Sequence, residues 1–192
     1  CSAPIDRLAE LSVSPSPSAV AQTIALYLDT NEIENERPDD TTFVAVLPGE
    51  HRLKTNVSIV VGDHSVSINA FIVRNPDENH EAVYAWLLKR NRRMYGVSYA
   101  IDHLGDVYLV GKVALDSIND FELDRLLGTI LENSDGAFDY LLEMGFRTAI
   151  RREWQWRLSR GESTRNLAAF THLADPLPAN ETAAPAGDVS DA

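Results

Sequence analysis

The residues with the clearest chemical potential lie near the end of the sequence, where arginines are interleaved with tryptophans. Arginine presents a planar, permanently charged set of donors to carboxylates and phosphates, and arginine and tryptophan are both enriched at interface hot spots. Such a combination is typical of a surface that binds a partner. The predicted partner-binding residues are Arg147, Arg151, Arg152, Trp156, Arg157 and Arg160.

The same segment also has a purely structural interpretation. Trp154 shares a helical face with neighbouring aliphatic residues and is predicted to lie in the core, whereas Trp156 projects away from that face. Arg151 and Arg157 could equally pair with the acidic segment Asp29–Asp40 of the same molecule. From the sequence, a partner surface and internal ion pairing are both open.

A second basic stretch ends the second predicted helix and consists of Lys89, Arg90, Arg92 and Arg93. Together with the late arginines, Arg165 included, it contains ten of the 17 lysines and arginines. A helix dipole stabilises cations at the helix C terminus whatever their function. Charge segregation is therefore informative, but it does not by itself define a site.

Motifs for catalysis and cofactor binding are not found. The stretch Gly105–Lys112 resembles a phosphate-binding loop, but five residues separate its glycines instead of four, and Val113 follows where a hydroxyl is required. Neither G-x-G-x-x-G nor G-x-S-x-G occurs. We therefore predict no catalytic residue, no cofactor and no enzymatic activity.

Metal binding is not predicted either. The five histidines are scattered, with no pair three or four positions apart. A calcium loop beginning at Asp29 would need an oxygen ligand at its fifth position and glycine at its sixth, where the chain has Ile33 and Glu34. Three acids spaced four positions apart on a late predicted helix are interpreted as an exposed acidic stripe: Asp135, Asp139 and Glu143.

Composition limits the class of protein. The chain has 192 residues, of which 44% are hydrophobic, and this is enough to form the core of one domain. No apolar run approaches the length of a membrane span. The formal net charge of −12 argues against general nucleic-acid binding, which needs a positive surface.

The single cysteine, Cys1, excludes an internal disulfide and a cysteine-based zinc site. The sequence therefore favours a reducing, cytoplasmic location. As an alternative, the opening Cys1-Ser2 is consistent with a lipoprotein anchored through its first residue, although no signal segment is visible.

Apolar spacing and turn residues predict the order α-β-β-β-α-β-β-α, followed by further helix. Hairpin turns are expected at Gly62-Asp63 and around Gly105. The segment Asp29–Asp40 is predicted to be a solvated acidic loop, and a late helix is expected to begin at a Ser134 cap. We therefore predict an α+β fold in which helices pack on an antiparallel sheet.

Three regions follow from this pattern. Residues 1–17 mix serine and proline and are predicted to be a flexible lead-in. Residues 18–173 contain the predicted elements and form one domain. Residues 174–192 hold four acids and three prolines without a single base, and we expect them to be disordered.

Four stretches within the predicted domain resemble a known family. They are His80–Asn91, Asp102–Tyr108, Leu142–Phe146 and Arg152–Ser163. The element order and these stretches resemble the YbjN family of bacterial sensory transduction regulators, and the likeness is closest to its actinobacterial branch. The resemblance covers residues 18–173 and implies a fold like that of type III secretion chaperones.

The resemblance also implies a function. It suggests a non-enzymatic binding or regulatory role, often as a homodimer, and supplies no catalytic residues. We therefore expect a chaperone-like or regulatory module with an unidentified protein partner, dimeric through its sheet or its second helix. The alternatives are an enzyme or sensor that grips a small anionic metabolite with Arg147, Arg151 and Arg152, and a nucleic-acid binder that uses the arginine-tryptophan helix.

Overall fold

Six strands form one antiparallel sheet in a computed structural model of the protein, which describes residues 15–174. The strands are β1 (Asn35–Asp39), β2 (Thr42–Pro48), β3 (Lys54–Val61), β4 (Ser65–Val73), β5 (Val97–Ile101) and β6 (Val107–Ala114). Their order across the sheet is β1-β2-β3-β4-β6-β5, so the hairpin β5–β6 joins the sheet through β6 and leaves β5 at an edge. The predicted α+β class with an antiparallel sheet is confirmed.

In the part of the chain that the structure describes, four α-helices accompany the sheet: α1 (Pro17–Thr30), α2 (His80–Asn91), α3 (Asp120–Ser134) and α4 (Phe138–Arg160). Two 3-10 helices span Leu115–Ser117 and Arg165–Leu173. Ser16 caps α1, because its side chain accepts a hydrogen bond from the Ala19 amide at 3.2 Å. Asn119 caps α3 in the same way through the Glu122 amide at 3.0 Å.

The main core lies between one face of the sheet and the helices. Along β2 and β3, alternate side chains are buried, as expected for strands with one covered face. Helices α1 and α3 contact each other across the core, α1 packs on β2 and β3, and α3 packs on β5. The largest fully buried side chains include Ile24, Leu28, Ile59, Ile72, Leu109, Leu126 and Ile130.

The predicted acidic loop contains an extra strand. Residues 35–39 pair with β2 as the edge strand β1, with Asn35 opposite Ala45 and Glu36 opposite Val44. The prediction of an unbroken loop over Asp29–Asp40 is therefore wrong. Its charge and its proline are typical of edge strands, which use both to prevent pairing with other chains.

The start of the last helix also differs from the prediction. Ser134 is the final residue of α3, and its hydroxyl oxygen accepts a hydrogen bond from the buried Thr55 hydroxyl at 3.0 Å. Helix α4 begins instead at Phe138 and is interrupted at Phe146, whose φ of −142° is not helical. The predicted lead-in, apart from its last three residues, and the predicted acidic tail after Ala174 lie outside the described residues, as does Cys1.

Candidate partner-binding surfaces

The second half of α4 packs on the following 3-10 helix through an apolar cluster that is continuous with the main core. Trp154 is 6% exposed, as predicted for a core residue, and its indole nitrogen donates to the Phe170 carbonyl at 3.1 Å. The 3-10 helix Arg165–Leu173 packs on this part of α4 and contributes Leu167, Phe170 and Leu173 to the cluster. We call residues 147–173 the α4 extension.

Two of the predicted partner-binding arginines, Arg147 and Arg157, form ion pairs with acids of α4. Arg147 donates to Glu143 at 2.8 Å, and His172 lies 3.1 Å from the same carboxylate. The hydrogen bond from His172 is the main reason that the pKa of Glu143 lies below its usual range, with burial acting against it and Arg147 adding to it. Of the two interpretations given for these arginines, internal ion pairing is therefore the one that applies to Arg147.

Arg157 is engaged in a similar way. It donates to Glu153 at 2.6 Å and to the Ser163 carbonyl at 2.8 Å. The suggested pairing of Arg157 with the acidic segment is therefore wrong, because its acid lies one turn away on the same helix. Arg151 is half-buried, and its Nε has no hydrogen-bond partner among the described residues.

Three predicted residues remain on one exposed helical face: Arg152, Trp156 and Arg160, which are spaced four apart. Trp156 is 44% exposed, and the Arg160 guanidinium lies over its ring at 5.3 Å. None of the ion pairs within residues 15–174 includes Arg152 or Arg160. We call these three side chains the Arg-Trp face.

The open side of the sheet is a second exposed surface. The strand register places Val44, Ser58, Asn69, Val110 and Ser98 in one row across five strands. All five side chains are uncharged, and the row ends on the edge strand β1 at Glu36. The neighbouring row runs from Asp39 on β1 through Thr42 to Lys112. A band almost free of charge is unusual on a chain whose net charge is −12, and depletion of charge is a feature of interface cores.

Both edges of this sheet are protected against strand addition. At the β5 edge, the Asn91 side chain accepts from the Tyr99 amide at 2.8 Å and donates to the Tyr99 carbonyl at 3.2 Å. The Asn91 side chain therefore makes the two hydrogen bonds with β5 that the backbone of a neighbouring strand would make. The other edge carries Glu36, Arg37 and Pro38, residue types that discourage pairing.

Helix α2 is a third exposed surface. Val83 and Leu87 are buried, but the neighbouring apolar residue Leu88 is 66% exposed. Trp86 is partly covered by Tyr140, whose ring centroid is 5.3 Å away. Four cations lie at the end of the helix, and the sequence left open whether they form part of a partner surface or only respond to the helix dipole.

Several residues of the family-like stretches serve the fold. Asp102 closes the β5–β6 turn by accepting from the Leu104 and Asp106 amides at 2.9 and 3.0 Å. Gly105 has a φ of +85°, which favours glycine. At the interruption of α4, the Gly145 carbonyl accepts from the amides of Asp77 and Glu78.

The three acids of the predicted acidic stripe make hydrogen bonds and ion pairs with the rest of the fold. These contacts are the largest set of interactions that the sequence reasoning missed. Asp135 accepts from the backbone amides of Glu50, His51 and Arg52 at 2.7–3.1 Å and so fixes the β2–β3 loop. Burial alone would raise the pKa of Asp135, but these amides more than offset it and the pKa is lowered. The sequence offered no signal for this contact beyond Gly49, where a Cβ would collide with the Asp135 carboxylate.

Asp139 anchors the same loop through His51, whose Nδ1 lies 2.7 Å from its carboxylate. The hydrogen bond and the charge of Asp139 raise the pKa of His51 above its ordinary value of about 6.5. The contact therefore stabilises the folded state fully below that ordinary value, and its contribution disappears as pH rises through the higher folded value.

We expect the difference in unfolding free energy between the wild type and His51→Ala to decrease as pH rises through neutrality. Chemical denaturation at a series of pH values measures this difference. His64→Ala, which removes an exposed histidine from the β3–β4 turn, is measured alongside as the control. A difference for His51→Ala that is equal at every pH would contradict the assignment.

Two negative findings concern the described part of the chain. Within residues 15–174, no three His, Cys, Asp or Glu side chains are grouped so that they could hold a metal ion. Over the same range, no helix is long and apolar enough to cross a membrane.

Sequence comparison finds a family model and several uncharacterized relatives that match the chain. The model of the YbjN family, described as "Putative bacterial sensory transduction regulator", matches residues 21–143. The α4 extension, with the family-like stretch Arg152–Ser163, lies beyond that match. An uncharacterized protein of Mycobacterium leprae is 57% identical over 132 residues, which cover 69% of this chain and 72% of that protein.

Structural comparison gives similar folds at low sequence identity. A chain in the crystal structure of the ExsC–ExsE complex has a TM-score of 0.50 and 15% identity, covering 65% of this chain and 95% of that one. A chain of the heterodimeric ExoU–SpcU complex, from the type III secretion system of Pseudomonas aeruginosa, has a TM-score of 0.46 and 18% identity, covering 58% and 91%. The predicted likeness to this fold is confirmed, and at such identities the likeness concerns the fold alone.

Proposed function

The chain belongs to the YbjN family, and on that basis we propose that it is a non-enzymatic protein-binding module with a chaperone-like or regulatory role. The solved structures of similar fold are complexes between two proteins, which supports a protein partner for this chain as well. Because the likeness extends to the fold only, the binding surface has to be argued from this chain's own residues.

The Arg-Trp face is the observation that carries the proposal. Arg147 and Arg157 are bound to acids of their own helix, so they have less charge to offer a partner. Arg152 and Arg160 flank an exposed tryptophan without an acid partner in the described chain. An aromatic anchor between arginines is the composition of an interface hot spot.

The geometry gives no support to the metabolite alternative, which required Arg147, Arg151 and Arg152 to converge. The cavity beside Arg147, of about 280 Å³, is lined by Asn79, Ala82, Tyr140, Glu143 and Met144, and not by the other two arginines. Arg147 is already bound to Glu143 in that cavity.

Affinity capture from the native host tests the proposal. We expect the wild-type chain to retain a specific protein and the double variant Arg152→Ala, Trp156→Ala to lose most of it, since a hot-spot side chain contributes at least about 2 kcal/mol. Phe121→Ala is the control, because it removes an aromatic ring from α3 that is even more exposed than Trp156, at 73% against 44%. Equal capture by all three proteins would show that the Arg-Trp face is not the binding surface.

We also infer a homodimer, formed through the open side of the sheet. Two copies that each carry a charge of −12 repel one another, so they associate most easily where acidic side chains are absent. The five uncharged positions across β2, β3, β4, β6 and β5 meet that condition, because the acids that continue these rows, Glu36 and Asp39, lie on the β1 edge. The protected edges favour contact through the face of the sheet over continuation of the sheet.

We expect Asn69→Glu to convert this dimer to a monomer, because Asn69 is exposed at the centre of the uncharged row. Sedimentation or light scattering after gel filtration measures the mass. Gln22→Glu, which adds the same charge at an exposed position on α1, should leave the dimer intact. A monomeric wild type, or a dimer that tolerates Asn69→Glu, would contradict the inference.

A further inference from the structure

Helix α2 presents two adjoining clefts of different chemistry. The first, of about 460 Å³, is basic and is lined by Trp86, Lys89, Arg90, Arg92 and Arg93. The second, of about 320 Å³, is apolar and is lined by Tyr84, Leu87, Leu88, Tyr99, Ala100 and Ile101. Leu88 and Lys89 are consecutive residues that line different clefts, so the two surfaces adjoin.

The basic cleft is not neutralised by acids of the described chain. Within residues 15–174, none of the ion pairs includes any of its four cations. Arg90 is nevertheless held in place, since its Nε donates to Asn133 at 2.7 Å and its guanidinium lies over the Trp86 ring at 5.3 Å. Part of the cleft is therefore ordered before any ligand arrives.

The helix dipole accounts for only part of this arrangement. It stabilises a cation in the last turn by about 0.3–1 kcal/mol, whereas like charges one turn apart, such as Lys89 and Arg93, repel each other. It also gives no reason for the exposure of apolar side chains beside the cations, namely Leu88 at 66% and Ile101 at 49%. A ligand that is both acidic and apolar accounts for both features.

We propose that α2 is a second binding site, which takes an acidic segment of a partner protein. Carboxylates of the segment pair with Lys89, Arg92 and Arg93, and its apolar side chains enter the cleft between Leu88 and Ile101. Nucleic acid and phosphate fit less well, because they offer nothing to the apolar cleft and because the acidic chain repels an extended polyanion.

The mode of recognition follows from the β5 edge. Asn91 already occupies the outward amide and carbonyl of Tyr99, which lines the apolar cleft. The segment is therefore recognised through its side chains and not as an added strand. This site is separate from the Arg-Trp face and lies within residues 21–143, the part of the chain that the family model matches.

Fluorescence anisotropy of a labelled synthetic peptide of alternating glutamate and leucine, titrated with the full chain, tests the proposal. We expect Lys89→Glu, Arg93→Glu to weaken binding by at least about tenfold, and Leu88→Ser, Ile101→Ser to do the same through the apolar cleft. Arg160→Glu on the Arg-Trp face is the control and should leave this affinity unchanged. Circular dichroism confirms that each variant is folded.

Further probes separate the alternatives. A glutamate-only peptide should bind more weakly than the glutamate-leucine peptide, and a lysine-leucine peptide should not bind. The proposal is overturned if a single-stranded oligonucleotide or inorganic phosphate binds and the acidic peptide does not. It is also overturned if the α2 variants change only self-association, or if Arg160→Glu alone abolishes peptide binding; the last result would instead favour the Arg-Trp face.

Discussion

Replacing Asp135 with alanine is expected to lower the free energy of unfolding by about 2–4 kcal/mol, which is a large fraction of the stability of a single domain. Three backbone amides donate to this carboxylate, and all three belong to the β2–β3 loop. Hydrogen bonds to a charged acceptor are stronger than neutral ones. Partial exposure of Asp135 keeps the expected loss below the sum of three such bonds.

Equilibrium denaturation in urea measures the loss, and two variants define its cause. Asp135→Asn keeps the oxygen that accepts from the His51 and Arg52 amides, so it should be destabilised less than the alanine variant. Asp40→Ala removes an exposed aspartate without such contacts and should be near neutral. If Asp135→Ala were as stable as Asp40→Ala, the loop would not depend on the carboxylate.

The pH dependence of this contribution follows from the lowered pKa of Asp135. A carboxyl group whose pKa is lower in the folded state stabilises that state fully above its unfolded value, and this stabilisation is lost as pH falls through the folded value. Asp135 therefore acts in the opposite sense to His51, although both hold the same loop.

Asp135 also shows why the fold could be predicted from the sequence better than the side-chain contacts between residues far apart in the chain. Its spacing from Asp139 and Glu143 describes a position along the chain, whereas its partners lie more than 80 residues earlier, on a loop whose path depends on the folded sheet. Hairpin turns and alternating strands are local signals, so the sheet could be predicted. Strand β1 was missed because an edge strand with charge and proline has the composition of a loop.

The candidate surfaces show the same difference between features that local sequence signals predict and features that depend on the folded structure. Helical spacing separated Trp154 from Trp156 correctly, because the two side chains point to different faces whatever the partner. The pairs Glu143–Arg147 and Glu153–Arg157 were missed, although each acid lies four residues before its arginine, a spacing that favours ion pairs on a helix. Exposure of Leu88 could not be predicted, because α2 has apolar residues on two faces and only the packing against β5 and α4 distinguishes them.

Trp154→Ala is expected to have the other large effect, a loss of about 3–5 kcal/mol in the stability of the α4 extension. The ring is buried against the 3-10 helix, and its nitrogen satisfies the Phe170 carbonyl. Because the strongest helix-to-helix packing of this segment is internal, between α4 and Arg165–Leu173, the loss should appear as local unfolding with the sheet intact. Hydrogen exchange should therefore accelerate in residues 147–173 and remain slow in β3 and β4.

Two further variants make the comparison specific. Trp154→Phe keeps most of the packing but leaves the Phe170 carbonyl without its donor, so it should lose about 1–3 kcal/mol. Trp156→Ala should leave exchange unchanged throughout, because its ring lies on the exposed Arg-Trp face.

Partner capture by the same variants relates the stability of the α4 extension to binding. If the Arg-Trp face binds the partner, Trp154→Ala abolishes capture because the helix that presents the face unfolds, whereas Trp156→Ala abolishes it in a folded protein. Exchange data and capture measured on the same variants distinguish the two causes. Slow exchange of residues 147–173 in Trp154→Ala would show that the α4 extension does not depend on the cluster around Trp154. If exchange is instead fast and Trp154→Ala still captures the partner, the Arg-Trp face is excluded as the binding surface.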